Sequence, residues 1–227
     1  METISITKKA TPFTGSPEPP ELRDLLDISS IEGLCEYLLV LSPGGPLRDS
    51  IVNQKKYFTD NYENRAAVYG KPHITLANFL LREIAEDEIV RRLNFISENS
   101  HGIKVVLRDY NWFPEHTMYL NVLYPVNIQQ LVRKISALTQ SVIRKDNHHA
   151  PHFILNPHLT ICKDLSAEQF EMSRIEYTTK TFSGDFTASE MLLLKRSIGI
   201  NKYEEVGHFR FGLPAILDTT IQGKLFQ

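Results

Sequence analysis

The chain has 227 residues, of which 42% are hydrophobic and 23% charged, a composition typical of a globular protein with a sizeable core. Its formal net charge of -2 excludes the strong positive field of proteins that bind long nucleic acids, although a short RNA end or a nucleotide needs only local positive groups. No apolar run approaches the roughly 20 residues that span a bilayer, and the N-terminus lacks the apolar core of a signal peptide. We therefore expect a cytoplasmic protein that does not contact a membrane.

The N-terminal region differs in composition from the rest of the chain. Residues 1 to about 20 are rich in Thr, Pro and Ser, and the segment 21–27 has the apolar spacing of a short helix. A segment of this composition buries little apolar surface, so it cannot form a core of its own. We predict that residues 1–30 form a tail or a strap laid over the surface, and that residues 31–227 form a single domain.

The helices and strands of this domain are predicted from the spacing of apolar residues and from the Pro and Gly residues at their ends. Helical spacing occurs at 46–62, 86–99, 127–146 and near 166–177. Short apolar or alternating runs predict strands at 36–43, 71–80, 102–114, 116–124, about 158–163, within 182–197 and at 205–213. Helices and strands do not alternate regularly, which favours an α+β fold with a mixed or antiparallel sheet over a doubly wound fold.

One sequence pattern, Pro-His-apolar-Thr-apolar, occurs twice, at 72–76 and at 157–161. Alternate side chains of a strand share a face, so each copy places an imidazole beside a hydroxyl and turns two aliphatic side chains the other way. A single His-x-Thr arises easily by chance and could merely mark a hydrogen bond at a strand end, but two copies with the same flanking Pro are hard to obtain by accident. If the two strands are adjacent or related by a pseudo-twofold axis, one cleft is lined by His73, Thr75, His158 and Thr160.

This set of side chains suits the chemistry of phosphodiesters. Opening a cyclic phosphodiester, or forming a 2′-5′ linkage by the reverse reaction, requires one proton to be taken from the nucleophile and one given to the leaving oxygen. Histidine can do both, because its ordinary pKa of about 6.5 makes either protonation state available near neutrality. Thr75 and Thr160 could donate hydrogen bonds to the non-bridging phosphate oxygens. The pattern requires neither a metal nor a cofactor, and it does not say which histidine is the acid.

The paired PHIT and PHLT resemble the signature of the 2H phosphoesterase superfamily, specifically its 2′-5′ RNA ligase and cyclic phosphodiesterase branch. The likeness covers about residues 36–212: YLLVLSP resembles the opening strand, RDYNWFPEHTMYLNVLY the central hairpin, and PHLTICK followed by FTASEMLLLKRS the closing region. The resemblance implies two pseudo-twofold-related lobes of antiparallel sheet and helices around a central cleft, with one His-x-Thr from each lobe. It also implies that the four residues of the two motifs take the catalytic roles described above.

One position departs from the pattern of the family. Bacterial relatives often carry Arg two residues after the final aliphatic residue of the second motif, where this chain has Lys163. Lys163 keeps the positive charge but lacks the planar fork that binds phosphate with two hydrogen bonds. We predict that Lys163 binds substrate, and that its contact with the phosphate differs in geometry from that of an arginine. Lys71, Lys195 and Arg196 are further candidate phosphate partners, although lone basic residues are usually just solvated.

Three aromatic residues are candidate substrate contacts. Tyr37 and Tyr119 alternate with apolar residues on strands that could border the cleft, and Phe113 follows Trp112 near a hairpin turn, where a ring could stack on a base. Packing between the lobes is an equally good interpretation of the aromatic pair. We predict that Tyr37, Phe113 and Tyr119 bind substrate.

The remaining histidines and the cysteines are not predicted to bind metal. His148, His149 and His152 cluster in HHAPH, but the proline there disfavours a helix and the segment has no carboxylate, so we predict a solvated loop near the cleft rim. Cys35 and Cys162 have no CxxC spacing and lie among apolar residues, so they are predicted to be buried free thiols.

The sequence favours an enzyme that hydrolyses a 2′,3′-cyclic nucleotide or a cyclic phosphate at an RNA end, acting as a monomer. Reversible 2′-5′ ligation of RNA uses the same residues and stays open as an alternative. A module that binds an RNA end or a nucleotide without catalysis is less favoured, because both histidines and both threonines are present. Another phosphoester substrate also stays open, since the two motifs recognise phosphate and not the base.

Overall fold

The structure is a computed structural model, and it describes residues 33–64, 70–113, 116–145 and 150–212. Its helices are α1 (Gly45–Tyr62), α2 (Glu86–Glu98), α3 (Val126–Ile143) and α4 (Ala167–Tyr177), with a 3₁₀ turn at Glu83–Ala85. Its strands are β1 (Leu34–Leu41), β2 (Ile74–Arg82), β3 (Ile103–Phe113), β4 (Thr117–Leu123), β5 (His152–Phe153), β6 (His158–Cys162), β7 (Ser183–Ala188), β8 (Glu190–Ser197) and β9 (Glu204–Arg210).

All of these strands belong to one antiparallel sheet, with the order β7-β3-β4-β6-β2-β1-β8-β9 and with β5 paired to β2. The order is symmetric about the centre of the sheet, where β6 lies beside β2. Four strands extend to each side, β6-β4-β3-β7 in one half and β2-β1-β8-β9 in the other. The two halves meet where Ile74 of β2 pairs with Leu159 of β6. The α+β fold with two related halves of antiparallel sheet, expected from the resemblance, is confirmed.

The core lies between one face of this sheet and the helices. Residues of β2 and β6 that point to the helices, such as Ile74, Leu76, Leu159 and Ile161, are 0% exposed. Helix α1 packs beneath β6 and β7, whereas α3 packs beneath β2 and α2 beneath β9. Burying the aliphatic side of each strand leaves its polar side on the opposite face.

Local sequence explains where several helices begin. Pro46 stands at the start of α1, where its missing N–H would have no intrahelical partner. Helix α4 begins with a capping box: the Ser166 hydroxyl accepts from the backbone N–H of Gln169, and the Gln169 side chain accepts from the N–H of Ser166. Helix α2 has three acidic residues in its first turn, which suits the positive end of the helix dipole.

Some details differ from the expectations of the sequence. Part of the predicted loop is strand β5, since His152 pairs with Asn78 and Phe153 with Ala77. The other two histidines of HHAPH and the predicted tail at 1–30 lie outside the described residues. Cys35 and Cys162 are both buried free thiols, as predicted.

Candidate active site

The pairing of β2 with β6 brings the two Pro-His-x-Thr-x motifs together. Ile74 and Leu159, the central residues of the two His-x-Thr triplets, are direct partners. Because the strands are antiparallel, His73 lies opposite Thr160, and Thr75 lies opposite His158. The two histidines are therefore diagonal neighbours, for which backbone separations are about 7–8 Å. The pairing of these two strands thus brings two histidine and two threonine side chains together around a local pseudo-twofold axis.

The four polar side chains of the motifs share the face of the sheet that is turned away from the helices, which we call the site face. Ile74 and Leu159 are fully buried in the core, so their neighbours in each strand point the other way. His73, Thr75, His158 and Thr160 are all partly buried, sheltered from bulk water but accessible to a small ligand.

Each imidazole is held by the main chain in the same way. The Nδ1 atom of His73 lies 2.8 Å from the carbonyl oxygen of Lys71, and the Nδ1 atom of His158 lies 2.9 Å from that of Asn156. A carbonyl oxygen only accepts, so each Nδ1 must carry the proton. Nε2 is then left without a proton in the neutral ring, ready to accept one, and becomes a donor once it is protonated.

The surroundings of the two imidazoles lower both pKa values, but not in the same way. Burial is the main cause for each ring, because it disfavours the charged form. The positive charges of Lys55 and Lys163 lower the pKa of His73 further, as does His158 itself when charged. The two histidines therefore interact, and His73 lies in the more positive environment.

Lys55 is a buried cation that sequence reasoning did not identify. Its Nζ, on α1, donates to the carbonyl oxygen of Gly70 at 3.0 Å, and among the described residues it is the one charged residue that is buried. The Gly70 carbonyl precedes Lys71, whose own carbonyl accepts from His73. Its helical spacing from Ile51 and Phe58 is the signal that could have placed Lys55 on the buried face of α1, but nothing local indicates that it lies near His73.

The two threonine hydroxyls lie beside the imidazoles. Neither the hydroxyl of Thr75 nor that of Thr160 hydrogen-bonds to another residue within the described ranges. Together with two Nε2 atoms, two free hydroxyls provide donors and acceptors around one small volume. That set can bind a tetrahedral anion and move protons to and from its oxygens.

Aromatic rings cover one side of His158. The centroid of the Phe113 ring lies 4.7 Å from that of His158 in an edge-to-face arrangement, and that of Tyr119 lies 5.1 Å away. Tyr119 is the β4 partner of Thr160, which places it on the site face. Phe113 and Tyr119 are thus adjacent to the site as expected, while their contact with substrate stays a prediction.

Lys163 follows β6 and lies near enough to His73 for its charge to act on that ring. Its side chain is 64% exposed, and Nζ is 3.8 Å from a carboxylate oxygen of Asp164. Its backbone is fixed, because the amide of Asn64 donates to the carbonyl oxygen of Lys163 at 3.1 Å. The ammonium group is therefore accessible to a ligand, while its contact with substrate stays a prediction.

The predictions for Tyr37 and Lys195 are corrected. Tyr37 is 0% exposed and stacks on Phe79, and its hydroxyl donates to Glu86 at 2.7 Å, so it belongs to the core and not to the site. Lys195, the β8 partner of Tyr37, also faces the helices and forms ion pairs with Glu83 and Glu86. Alternation along β1 and β8 decides both cases, because Tyr37 shares its face with Leu39 and Leu41, which are 0% exposed.

Two other candidate phosphate partners are already paired. On the site face, Arg196 donates from Nε to Glu36 at 2.6 Å and lies over the ring of Tyr203. Lys71 is highly exposed, with Nζ 3.4 Å from Glu205. Neither cation is adjacent to the pair of threonines in the strand register. In the described part of the chain, no three His, Cys, Asp or Glu side chains cluster in a way that could hold a metal ion.

The described helices are all too short or too polar to cross a lipid bilayer.

Solved structures share the fold. Apo LigT of E. coli superposes with a TM-score of 0.58 over 78% of this chain and 98% of LigT, at 14% identity. LigT of E. coli complexed with 3′-AMP gives a TM-score of 0.58 over 79% and 98% at 16% identity, and TT0787 of Thermus thermophilus gives 0.59 over 78% and 98% at 11% identity.

At these identities the structural likeness shows the fold alone, and comparison with curated proteins gives no match. The sequence itself carries the family assignment, because the model of the 2′-5′ RNA ligase superfamily matches residues 48–199. That range includes both His-x-Thr motifs and every strand from β2 to β8. The chain belongs to the 2′-5′ RNA ligase superfamily, the 2H phosphoesterases.

Proposed function

We propose that this protein is a metal-independent phosphoesterase that opens a 2′,3′-cyclic phosphate on a nucleotide or at an RNA end, with His73 and His158 as its acid-base pair. The single observation that carries the proposal is the twofold arrangement of two imidazoles with protonated Nδ1 atoms and free Nε2 atoms. Each imidazole stands opposite a threonine hydroxyl that is not otherwise bonded in the described residues.

The reaction needs one neutral and one protonated histidine. The neutral imidazole takes a proton from water, the water oxygen forms a bond to phosphorus, and the bond from phosphorus to one ribose oxygen breaks. The protonated imidazole gives its proton to that departing oxygen, so the product is a phosphate monoester beside a free hydroxyl. The two protons balance, and the histidines have exchanged protonation states.

The environment of His73 favours its role as the general base in hydrolysis. Burial and the nearby ammonium groups of Lys55 and Lys163 lower the pKa of His73, which keeps it neutral. Burial also lowers the pKa of His158, but its neighbours are the uncharged rings of Phe113 and Tyr119. A bound phosphate, being negative, favours the return of a proton to His158, which then acts as the acid.

The phosphate itself is held by Thr75, Thr160 and Lys163 in this proposal. The hydroxyls donate to the non-bridging oxygens, on which negative charge increases in the transition state. The exposed ammonium group of Lys163 adds a third, charge-assisted hydrogen bond. Phe113 and Tyr119 orient His158 and offer a ring edge to the base of the nucleotide. Both histidines come from one chain, so a monomer suffices.

Reversible 2′-5′ ligation of RNA is a second candidate, favoured by the description of the family whose model matches. In that direction a 5′ hydroxyl replaces water as the nucleophile and the bond from phosphorus to the 3′ oxygen breaks, so the two histidines keep their roles as base and acid; they exchange these roles when the 2′-5′ linkage is cleaved. The crystal structure of LigT complexed with 3′-AMP shows that a protein of this fold binds a nucleotide. This likeness supports a nucleotide or RNA end over other phosphoesters.

The test is hydrolysis of the four 2′,3′-cyclic nucleotides in EDTA by the wild type, His73→Ala and His158→Ala. Each variant should lose about 10²–10⁴-fold in rate, the typical contribution of one general acid or base. His101→Ala, a histidine replacement just before β3 and outside the site, is the matched control and should retain the wild-type rate. Product analysis identifies which ribose oxygen keeps the phosphate.

Several outcomes would count against the proposal. Activity that disappears in EDTA would refute metal independence, and activity that survives both replacements would refute the histidine pair. If the wild type hydrolyses no cyclic nucleotide but joins RNA fragments bearing cyclic phosphate and 5′-hydroxyl ends, ligation is the better description.

A further inference from the structure

Arg108 lies on the site face, two strands from the second histidine. It is the β3 partner of Asn121, and Asn121 is in turn the β4 partner of His158. Residues in direct register across a sheet share a face, so Arg108, Asn121 and His158 form a row. Two interstrand spacings of about 4.8 Å place the Cα of Arg108 about 10 Å from that of His158.

The guanidinium group of Arg108 is available to a ligand. Arg108 is exposed and forms no ion pair with any residue in the described ranges. Its direct strand partners are uncharged: Asn121 in β4 and Ser183 in β7. The carboxylate that lies diagonal to it in β7, Asp185, forms an ion pair with Lys104 at 3.7 Å. Arg196, by contrast, is fully engaged by Glu36.

The amides between Arg108 and the motifs are also arranged on this face. The Nδ2 of Asn111 donates to Oδ1 of Asn121 at 3.2 Å, and Asn111 is the β3 partner of Tyr119. Asn111 is exposed, so its amide can also contact a ligand. A surface of amides, one aromatic pair and one unpaired arginine therefore leads away from His158.

The other half of the sheet carries the opposite charge at the corresponding position. The pairs of β1 end at Leu41 with Ile74 of β2 and at Val40 with Leu192 of β8; continuing both registers to Ser42 makes Glu190 the residue that corresponds to Arg108 in the other half. Glu190 contacts His208 and Arg210. The carboxylate on the β8 side is thus engaged by cations, whereas Arg108 on the β3 side has no ion-pair partner in the described residues. A polyanion that reaches the histidines therefore finds an unpaired cation on the β3 side.

We propose that Arg108 binds the phosphate that joins the terminal nucleotide to its 5′ neighbour, so that the preferred substrate is an RNA strand ending in a cyclic phosphate and not a free mononucleotide. This inference rests on the proposed function and extends it from the reacting phosphate to the next one along the chain. Arginine suits the role, because its planar fork donates two parallel hydrogen bonds to a phosphate.

The test compares a 2′,3′-cyclic mononucleotide with a dinucleotide that ends in the same cyclic nucleotide. Wild-type kcat/KM should be higher for the dinucleotide, and Arg108→Gln should lose roughly 10-fold or more on it, the effect of one hydrogen bond to a charged group. Arg108→Gln should leave the rate on the mononucleotide unchanged, because that substrate has no second phosphate. Arg108→Lys should retain part of the preference, since it keeps the charge.

Arg133→Gln is the matched control, because it removes an exposed arginine from α3 on the helix side of the sheet. It should change neither rate. If the wild type shows no preference for the dinucleotide, or if Arg108→Gln keeps the full preference, Arg108 has no such role.

A binding measurement separates this inference from the proposed function. The probe is a fluorescent dinucleotide that carries a 3′-phosphate and cannot be turned over, titrated into the wild type, Arg108→Gln and Arg133→Gln. Weaker binding only in Arg108→Gln supports the phosphate contact even if no hydrolysis is found. Equal binding by all three refutes it, whether or not the histidines are catalytic.

Discussion

The two histidines are held alike by the main chain, but the charges beside them differ. The positive charges of Lys55 and Lys163 lower the pKa of His73, whereas His158 contacts the aromatic rings of Phe113 and Tyr119. The repeated motif made the pair predictable, because the chemistry needs the same residue types at the same spacing. The proximity of Lys55 to His73 could not be predicted, since it arises from packing between α1 and the loop before β2.

Replacing Lys55 tests this asymmetry. The ammonium group lowers the pKa of His73, so Lys55→Met should raise it. A general base must be deprotonated, so the acid limb of the kcat/KM profile should move to higher pH while the alkaline limb, set by His158, stays in place. The loss of rate should therefore be largest in acid. The measurement is kcat/KM on a cyclic nucleotide across the acid and alkaline limbs of the profile.

Lys56→Met is the control, because Lys56 is the next residue of α1 and is exposed. Its profile should match that of the wild type. If Lys55→Met lowers kcat/KM equally at every pH, Lys55 only supports the Gly70 loop and does not tune His73.

At the scale of elements, regular patterns were predictable and pairing between distant segments was not. The four described helices and the long strands agree with the apolar spacing to within a few residues. Strand β5 was missed, because two residues carry no periodicity and become a strand only by pairing with Asn78 and Ala77. The face on which Tyr37 lies was also missed, although Glu36, the one charged residue of β1, marks the opposite face as the more polar one.

The N-terminus of α4 offers a test of element stability. Besides the capping box, Gln169 donates to the Tyr62 carbonyl oxygen at 2.8 Å, so this cap links α4 to the end of α1. Ser166→Ala should lower the free energy of unfolding by about 1 kcal/mol, the usual effect of losing an N-cap. Urea titration followed by circular dichroism measures it. Thr179→Ala, at the other end of α4, should stay within about 0.5 kcal/mol of the wild type. An unchanged midpoint in Ser166→Ala would show that the cap does not limit stability.

At the scale of the whole molecule, the two halves of the sheet are continuous through β2 and β6. The repeated motif predicted two related halves, but nothing local in the sequence specifies that Ile74 pairs with Leu159. Helix α1 strengthens the connection, because it follows β1 of one half and packs beneath β6 and β7 of the other. Neither half therefore has a core that is independent of the other.

This continuity predicts one cooperative unfolding transition. Trp112, the only tryptophan, lies on β3 in the half that carries His158, so its fluorescence reports on that half. Circular dichroism in the far ultraviolet reports on helices and strands of both halves. Urea titrations followed by the two signals should give the same midpoint, as two-state unfolding requires. Separate midpoints would show that the halves unfold independently.

The contact between each imidazole and the carbonyl two residues earlier has a consequence for how such sites can be built. In both motifs a proline stands between the carbonyl and the histidine, and its fixed φ angle narrows the conformations open to that short segment. Serine proteases use a separate aspartate, distant in sequence, to fix the tautomer of their histidine. In the proposed function, one short stretch of chain, from Lys71 to Thr75 or from Asn156 to Thr160, contains the histidine that transfers a proton, the carbonyl that orients it and the threonine that donates a hydrogen bond to the phosphate. Each motif therefore contains its own orienting group, and the pairing of Ile74 with Leu159 brings the two copies together without a further residue to fix either tautomer.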